Sequence, residues 1–195
     1  MKREINASLK DELLDGAITL FKEKGIDKVT TRELTDLIGI SRSHLYHYFK
    51  DWHSLCIAAC ARFMYHEYQQ TAQEVALLAP QPALQRLIAE FLPLSDDPSW
   101  PLYMDIWRLA QHNEAYSELT AGIINEWDRL MESVIAAGIQ QTLFRPVDAA
   151  RVARQLGALI NGYADILLFP TARHSREQVI DEINEVLGLL LAPVH

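Results

Sequence analysis

The stretch from Thr30 to Lys50 constrains this chain more than any other. Thr30-Thr31-Arg32-Glu33 forms a capping box, in which the Thr30 side chain takes a backbone amide and Glu33 reaches back to the cap. The helix started there carries Leu34, Leu37 and Ile38 on its buried face and stops at Gly39, where glycine tolerates the positive φ of a sharp turn. Ser41 caps a further helix to about Phe49, and Ile40, Leu45 and Phe49 face the same way as the leucines before the turn. Both helices bury against a preceding one, in which Leu9, Leu13, Ala17, Leu20 and Phe21 recur at three- and four-residue steps and Gly25 marks the end. The pattern is a helix-turn-helix.

The rest of the chain keeps the helical period and offers no alternating strand. Asp51 caps a long helix from Trp52 to about Leu78, ended by Pro80 and Pro82. Further helices fit Ala83 to Leu92, Pro101 to His112, Ala115 to Leu143 and Asp148 to Phe169, the last closed by Pro170, and Ser175 caps a final one to about Leu191. The expectation is an all-α chain of nine helices in two domains, residues 1–52 and 53–195. Apolar residues make up 49% and charged residues 23% of the chain, enough to build a core and a solvated surface. No apolar run reaches the length of a membrane span and no apolar leader follows Met1, so a cytoplasmic protein is expected. Its two cysteines, Cys56 and Cys60, do not make a disulfide framework there.

On the helix after the turn, the outward positions hold Arg42, Ser43, His44, His47 and Lys50, with the phenol of Tyr46. These are hydrogen-bond donors, several of them cationic, and a helix presenting them suits the DNA major groove with phosphate contacts at its flanks. Arg32 and the cap Ser41 belong to the same edge.

The run from Ile40 to Lys50, with its Leu45-Tyr46 and Phe49 core, resembles the recognition-helix signature of the TetR/AcrR family of transcriptional regulators. Ala17, Leu20, Phe21, Gly25 and Thr30-Thr31 match the same family, and the likeness is dense over residues 8–65. It implies an all-helical homodimer with an N-terminal DNA-binding domain and a C-terminal ligand-binding domain. It further implies that Thr31, Tyr46 and Lys50 meet phosphates, and that Arg42, Ser43, His44 and His47 face bases or nearby backbone. Ser43, His44 and Trp52 depart from the usual pattern, so no operator sequence carries over from a relative.

On fewer residues, Trp107 and Leu159-Ile160-Asn161-Gly162-Tyr163, the region from Leu102 to Leu168 resembles the BetI-like branch of that family. Aromatic residues gather in neighbouring helices: Phe63, Phe91, Trp100, Tyr103, Trp107, Trp127 and Tyr163, which together with Asn161 are the expected effector contacts. The plainer reading of each ring is core. Asp105, Glu126 and Asp165 near these rings would favour a cationic ligand. His53, Cys56 and Cys60 share one face of the fourth helix, and the expectation there is small buried thiols with no metal. His112 is expected to be a helix C-terminal residue. No catalytic motif or cofactor-binding loop is present, so an enzyme is not expected.

The last two helices carry wide apolar faces, among them Val152, Leu156, Leu159, Ile160, Ile166, Val179, Ile183, Leu187 and Leu191, with Gly157, Ala158 and Gly162 allowing close approach. A two-fold interface between two copies follows, and with it a near-palindromic operator. The function expected is therefore a repressor released from its operator by a small-molecule effector. A ligand-independent DNA-binding protein, or a regulator controlled by a protein partner, are the alternatives. The net charge of −8 looks unfavourable for DNA until it is divided: residues 1–52 hold nine Lys+Arg and nine Asp+Glu, and the remainder hold nine and seventeen.

Overall fold

A computed structural model describes residues 2–94, 97–169 and 173–192, with side chains from Ser8 onward. The described residues form nine α-helices and no strand. In chain order these are α1 (Lys2–Lys24), α2 (Thr31–Ile38), α3 (Arg42–Leu45), α4 (Trp52–Val75), α5 (Pro80–Glu90), α6 (Ser99–Ala110), α7 (Glu114–Gln140), α8 (Ala149–Leu167) and α9 (Arg176–Leu191). A 3-10 turn over Ile26–Lys28 joins α1 to α2. Among the described residues no helix is long and apolar enough to cross a membrane.

Two compact units result, Met1–Glu67 with Pro98–Ile123, and Tyr68–Asp97 with Ile124–His195. In the first, Leu13, Ala17 and Phe21 of α1 are buried together with Leu34, Leu45, Leu55, Cys60 and Ile106. Gly16 is a notch on α1: a Cβ there would lie 2.9 Å from Ile38 Cδ1 and 3.2 Å from Leu34 Cδ1, so any larger residue would have to push those side-chain tips aside. Leu37, expected inside, is 55% exposed. On a helix of only two turns, Leu34 and Ile38 occupy the notch and Leu37 is left at its edge. Arg62 of α4 clamps α1 through Asp15, at 2.7 and 3.0 Å, and Asp11 at 3.0 Å.

In the second unit, Val152, Leu156, Ile160 and Ala164 of α8 are buried, as are Val179, Ile183, Leu187 and Leu191 of α9. Arg145 ties the end of α9 to the α7–α8 connection, its Nε donating to Leu190 O at 2.7 Å. The opposite faces remain open, with Ala158, Gly162 and Ile166 exposed on α8 and Leu189 79% exposed on α9.

Local signals set most helix starts. Thr30 with Glu33, and Ser175 with Gln178, form capping boxes, Ser41 and Asp148 cap α3 and α8, and Asp51 accepts the Ser54 amide at 2.7 Å. Three ends differ from the sequence reading. Pro80 does not end α4; the helix stops at Val75, and Pro80 stands in the first turn of α5, where a missing N–H costs nothing. Pro101 likewise lies within the first turn of α6, which begins at Ser99. The next helix, α7, stops at Gln140 because Leu143 and Phe144 donate back to Gly138 O at 2.9 and 3.2 Å, with Thr142 at φ 58. The expected closure of α8 by Pro170 lies outside the described residues.

Candidate DNA-binding surface and effector site

The helix-turn-helix is built on its caps. Gly39 has φ 76 and returns its amide to Thr35 O at 2.9 Å, turning the chain without strain. Glu33 accepts the Thr30 amide at 2.8 Å and Lys24 Nζ at 2.9 Å. Those two contacts, Lys24 first, pull its carboxyl down to about 2. A carboxylate at the edge that would meet phosphate is thus already neutralised by Lys24.

The helix α3 is shorter than expected. Beyond Leu45 the backbone tightens, with His47 N donating to His44 O at 3.2 Å and Tyr48 N to Leu45 O at 3.0 Å, so the helical path continues to Phe49 as three-residue turns. Leu45 and Phe49 are buried beneath it, and Arg42, Ser43, His44, His47 and Lys50 are exposed above. Tyr46 is 45% exposed and therefore a surface phenol, not core. Thr31 is half-buried at the start of α2. Arg32 pairs with Asp36 at 3.5 Å across an exposed helix turn, an arrangement a phosphate can replace. Ser41 Oγ accepts the His44 amide at 3.2 Å and shares a hydrogen bond with Ser43 Oγ at 2.9 Å. The His44 ring lies 6.1 Å from His47 and 5.7 Å from Tyr48.

The expected effector residues fall into separate groups. In the first unit, the Phe63 and Tyr103 rings are 4.8 Å apart and Trp100 lies 5.8 Å from Tyr103. Lys22 already stands over Phe63 at 4.7 Å while donating to Ser99 Oγ at 3.0 Å, so this group has its own cation. Trp107, further along α6, is half-buried. In the second unit, Trp127 sits edge-on to Phe91 at 4.8 Å and to Tyr68 at 5.1 Å. Burial, and then the negative charge of Glu126, push the Tyr68 phenol up, while Arg129, paired with Glu126 at 3.1 Å, opposes the rise. Tyr163 donates to Glu182 of α9, and Asn161 is exposed on the open face of α8, outside both aromatic groups. Of the other acids, Asp105 accepts the Ile26 amide at 3.0 Å, and Asp165 is exposed.

Cys56 and Cys60 are both buried. Burial drives the Cys56 thiol up to about 12 and Cys60 higher still, against an opposing effect of the neighbouring Tyr116 hydroxyl. His53 lies 5.9 Å from Tyr116, ring centre to ring centre. His112 is exposed, its amide donating to Leu109 O at 3.1 Å just past α6.

Several positioning residues escaped the sequence reading. Asn113 caps α7, accepting the Ala115 and Tyr116 amides at 3.1 and 3.4 Å; its Asn-then-Glu setting was a readable cap signal. Arg108 pairs with Asp27 and lies 3.6 Å from Asp105. No local signal announces that pair, because its members are 81 residues apart.

Residues 13–59 match the family described as "Bacterial regulatory proteins, tetR family", and residues 80–192 match "BetI-type transcriptional repressor, C-terminal". The HTH-type transcriptional repressor Rv1474c of Mycobacterium tuberculosis is 30% identical over 94 residues, 48% of this chain and 46% of that protein. The HTH-type transcriptional repressor KstR2 of Rhodococcus jostii is 28% identical over 139 residues, 70% of this chain and 68% of that one. The chain thus spans about half the length of the first of these relatives and two thirds of the second. A transcriptional regulator from Saccharomonospora viridis, solved in complex with choline, superposes with a TM-score of 0.83 at 20% identity, covering 96% of this chain and 100% of that one. A TetR transcription regulator from Haloarcula marismortui gives 0.83 at 20% identity, covering 95% and 99%.

Proposed function

This chain belongs to the TetR family of bacterial regulatory proteins, with a C-terminal region of the BetI type, and on that footing we propose that it is a DNA-binding transcriptional repressor. Members of the family are transcription factors and not enzymes. The observation that carries the reading is the α2–α3 edge. Leu45 and Phe49 fix the turn from below, while Arg42, Ser43, His44, Tyr46, His47 and Lys50 stand exposed above it. Arg42 and the histidines reach base edges; Thr31, Arg32, Ser41, Tyr46 and Lys50 take phosphates, aided by the amides at the start of α2.

In this reading residues 1–52 are the DNA-binding head and 53–195 the effector-binding and dimerisation part of a cytoplasmic homodimer. The open faces of α8 and α9, with Gly162, Ile166 and Leu189, support pairing through those helices. Two-fold symmetry then asks for a near-palindromic operator.

The effector is a small organic cation held by Phe91, Trp127 and Tyr68. The choline-bound structural neighbour supports the class, and Glu126, paired with Arg129, supplies a partly compensated negative charge beside the rings. Tyr68 lies on α4, the helix that leaves Lys50 and the recognition turn, so the cation and the operator favour different settings of one element. Coupling of this kind is reciprocal: DNA weakens effector binding by the factor by which effector weakens DNA binding. Titrating the protein onto genomic fragments tests the reading. Saturable binding that unrelated DNA fails to compete supports it, and binding equal for all fragments contradicts it. Repeating the titration with choline and with its uncharged isostere 3,3-dimethylbutanol tests the effector: weaker DNA binding with choline alone is expected.

A further inference from the structure

Inside the first unit, a cavity of about 300 Å³ opens where the α1–α2 connector, the first turns of α4 and the α6–α7 corner converge. Its floor is apolar: Ile26 and Val29 are each 4% exposed, and so is Cys56. Trp52 and Tyr116 give it aromatic walls. Polar groups share the lining with the apolar ones: Asp27, His53 and Asn113. Asp27 lies at the solvent-facing rim of the lining, 60% exposed, with its Oδ2 held by Arg108 and its Oδ1 without a protein partner among the described residues. The Asn113 carbonyl is occupied by the amides of α7, which leaves its NH2 as a donor.

These features select a ligand class. The volume is at the lower end of the about 300–1,000 Å³ typical of small-molecule sites, so it suits one small ring system. Aromatic walls over an apolar floor favour a flat ring. Asp27 and Arg108 are paired at the lining, so together they bring no net charge and favour neither an anion nor a cation over a neutral ring.

We propose that this cavity is a second small-molecule site, taking one uncharged planar heteroaromatic molecule whose ring N–H donates to Asp27 and whose face lies against Trp52 and Tyr116. It uses none of the residues assigned to the cationic effector and does not depend on that assignment. Such a molecule would bridge three segments of the DNA-binding unit.

Isothermal calorimetry on the full chain, with indole as the probe, tests it. Saturable binding of one indole per chain is expected, weakened about tenfold or more in 1-methylindole, which lacks the donor. 1-Methylquinolinium and indole-3-carboxylate, a cation and an anion of similar size, should bind more weakly than indole. Cys56→Leu, which fills the floor, and Trp52→Ala, which removes a wall, should each abolish binding, and Phe91→Ala should leave it unchanged. Should Trp52→Ala fail to fold, Cys56→Leu carries the test. Absence of saturable binding overturns the proposal. So does binding that survives Cys56→Leu, binding lost in Phe91→Ala, or a cation or 1-methylindole that binds as well as indole.

Discussion

The Asp105 carboxylate on α6 accepts the backbone amide of Ile26 at 3.0 Å, anchoring the connector that sets α1 against α2. Ile26 is buried, so no water replaces that acceptor when it is removed. Arg108, one turn on, braces the same connector through Asp27. Asp105→Ala is expected to lower stability by about 1–3 kcal/mol, the cost of leaving a buried donor unpaired. Asp105→Asn keeps an acceptor oxygen and should lose less. Urea unfolding with an unchanged slope would register both, and Arg108→Ala, at an exposed pair, should lose less than either.

On DNA, the donors of the α3 turn should separate by role. Lys50→Ala and Tyr46→Phe weaken binding to all sequences, and Lys50→Ala lowers the slope of log affinity against log salt by about 1. Arg42→Ala costs about 1–3 kcal/mol on the preferred site and relaxes the preference for bases at its position. Anisotropy titrations at several salt concentrations, on operator and on scrambled DNA, distinguish the two patterns.

The local signals were legible in the sequence and the long-range ones were not. The Thr30–Glu33 box, the Gly39 turn and the Ser41 cap depend on neighbours within four residues, and all three form as read. Leu37 was misplaced because periodicity gives the spacing of a stripe but not its width against a partner as close as the Gly16 notch. The i, i+3 spacing of Trp100 and Tyr103 does bring those rings together, yet their third member, Phe63, comes from another helix. Lys22 and Ser99 meet from 77 residues apart, and Asp105 and Ile26 from 79, which no local pattern encodes. Asn161, an expected effector contact from its place in the Leu159–Tyr163 run, is exposed on α8.

Acid should weaken the head through Glu33. Its carboxyl is held down to about 2 by Lys24 and by Thr30, below its unfolded value of about 4.3. The stabilisation is therefore complete above the unfolded value and is lost as pH falls through the folded one. Glu33→Gln should lower the melting temperature at pH 7, and the gap between variant and parent should close as the pH is brought from 5 towards 2.

The two thiols should be silent in the native protein. With Cys56 raised to about 12 and Cys60 raised further by burial, almost no thiolate exists at pH 8. A disulfide reagent should label neither cysteine until denaturant is added, after which both react.

The central claim is that two copies of the α2–α3 edge read a two-fold site. Selection of bound sequences from a random DNA pool, run with the full-length protein, tests it most directly. The account predicts enrichment of one near-palindrome, with half-sites separated by a whole number of helical turns, and loss of base preference within each half-site in Arg42→Ala. Failure to enrich any near-palindrome, or an unchanged motif with Arg42→Ala, would contradict it.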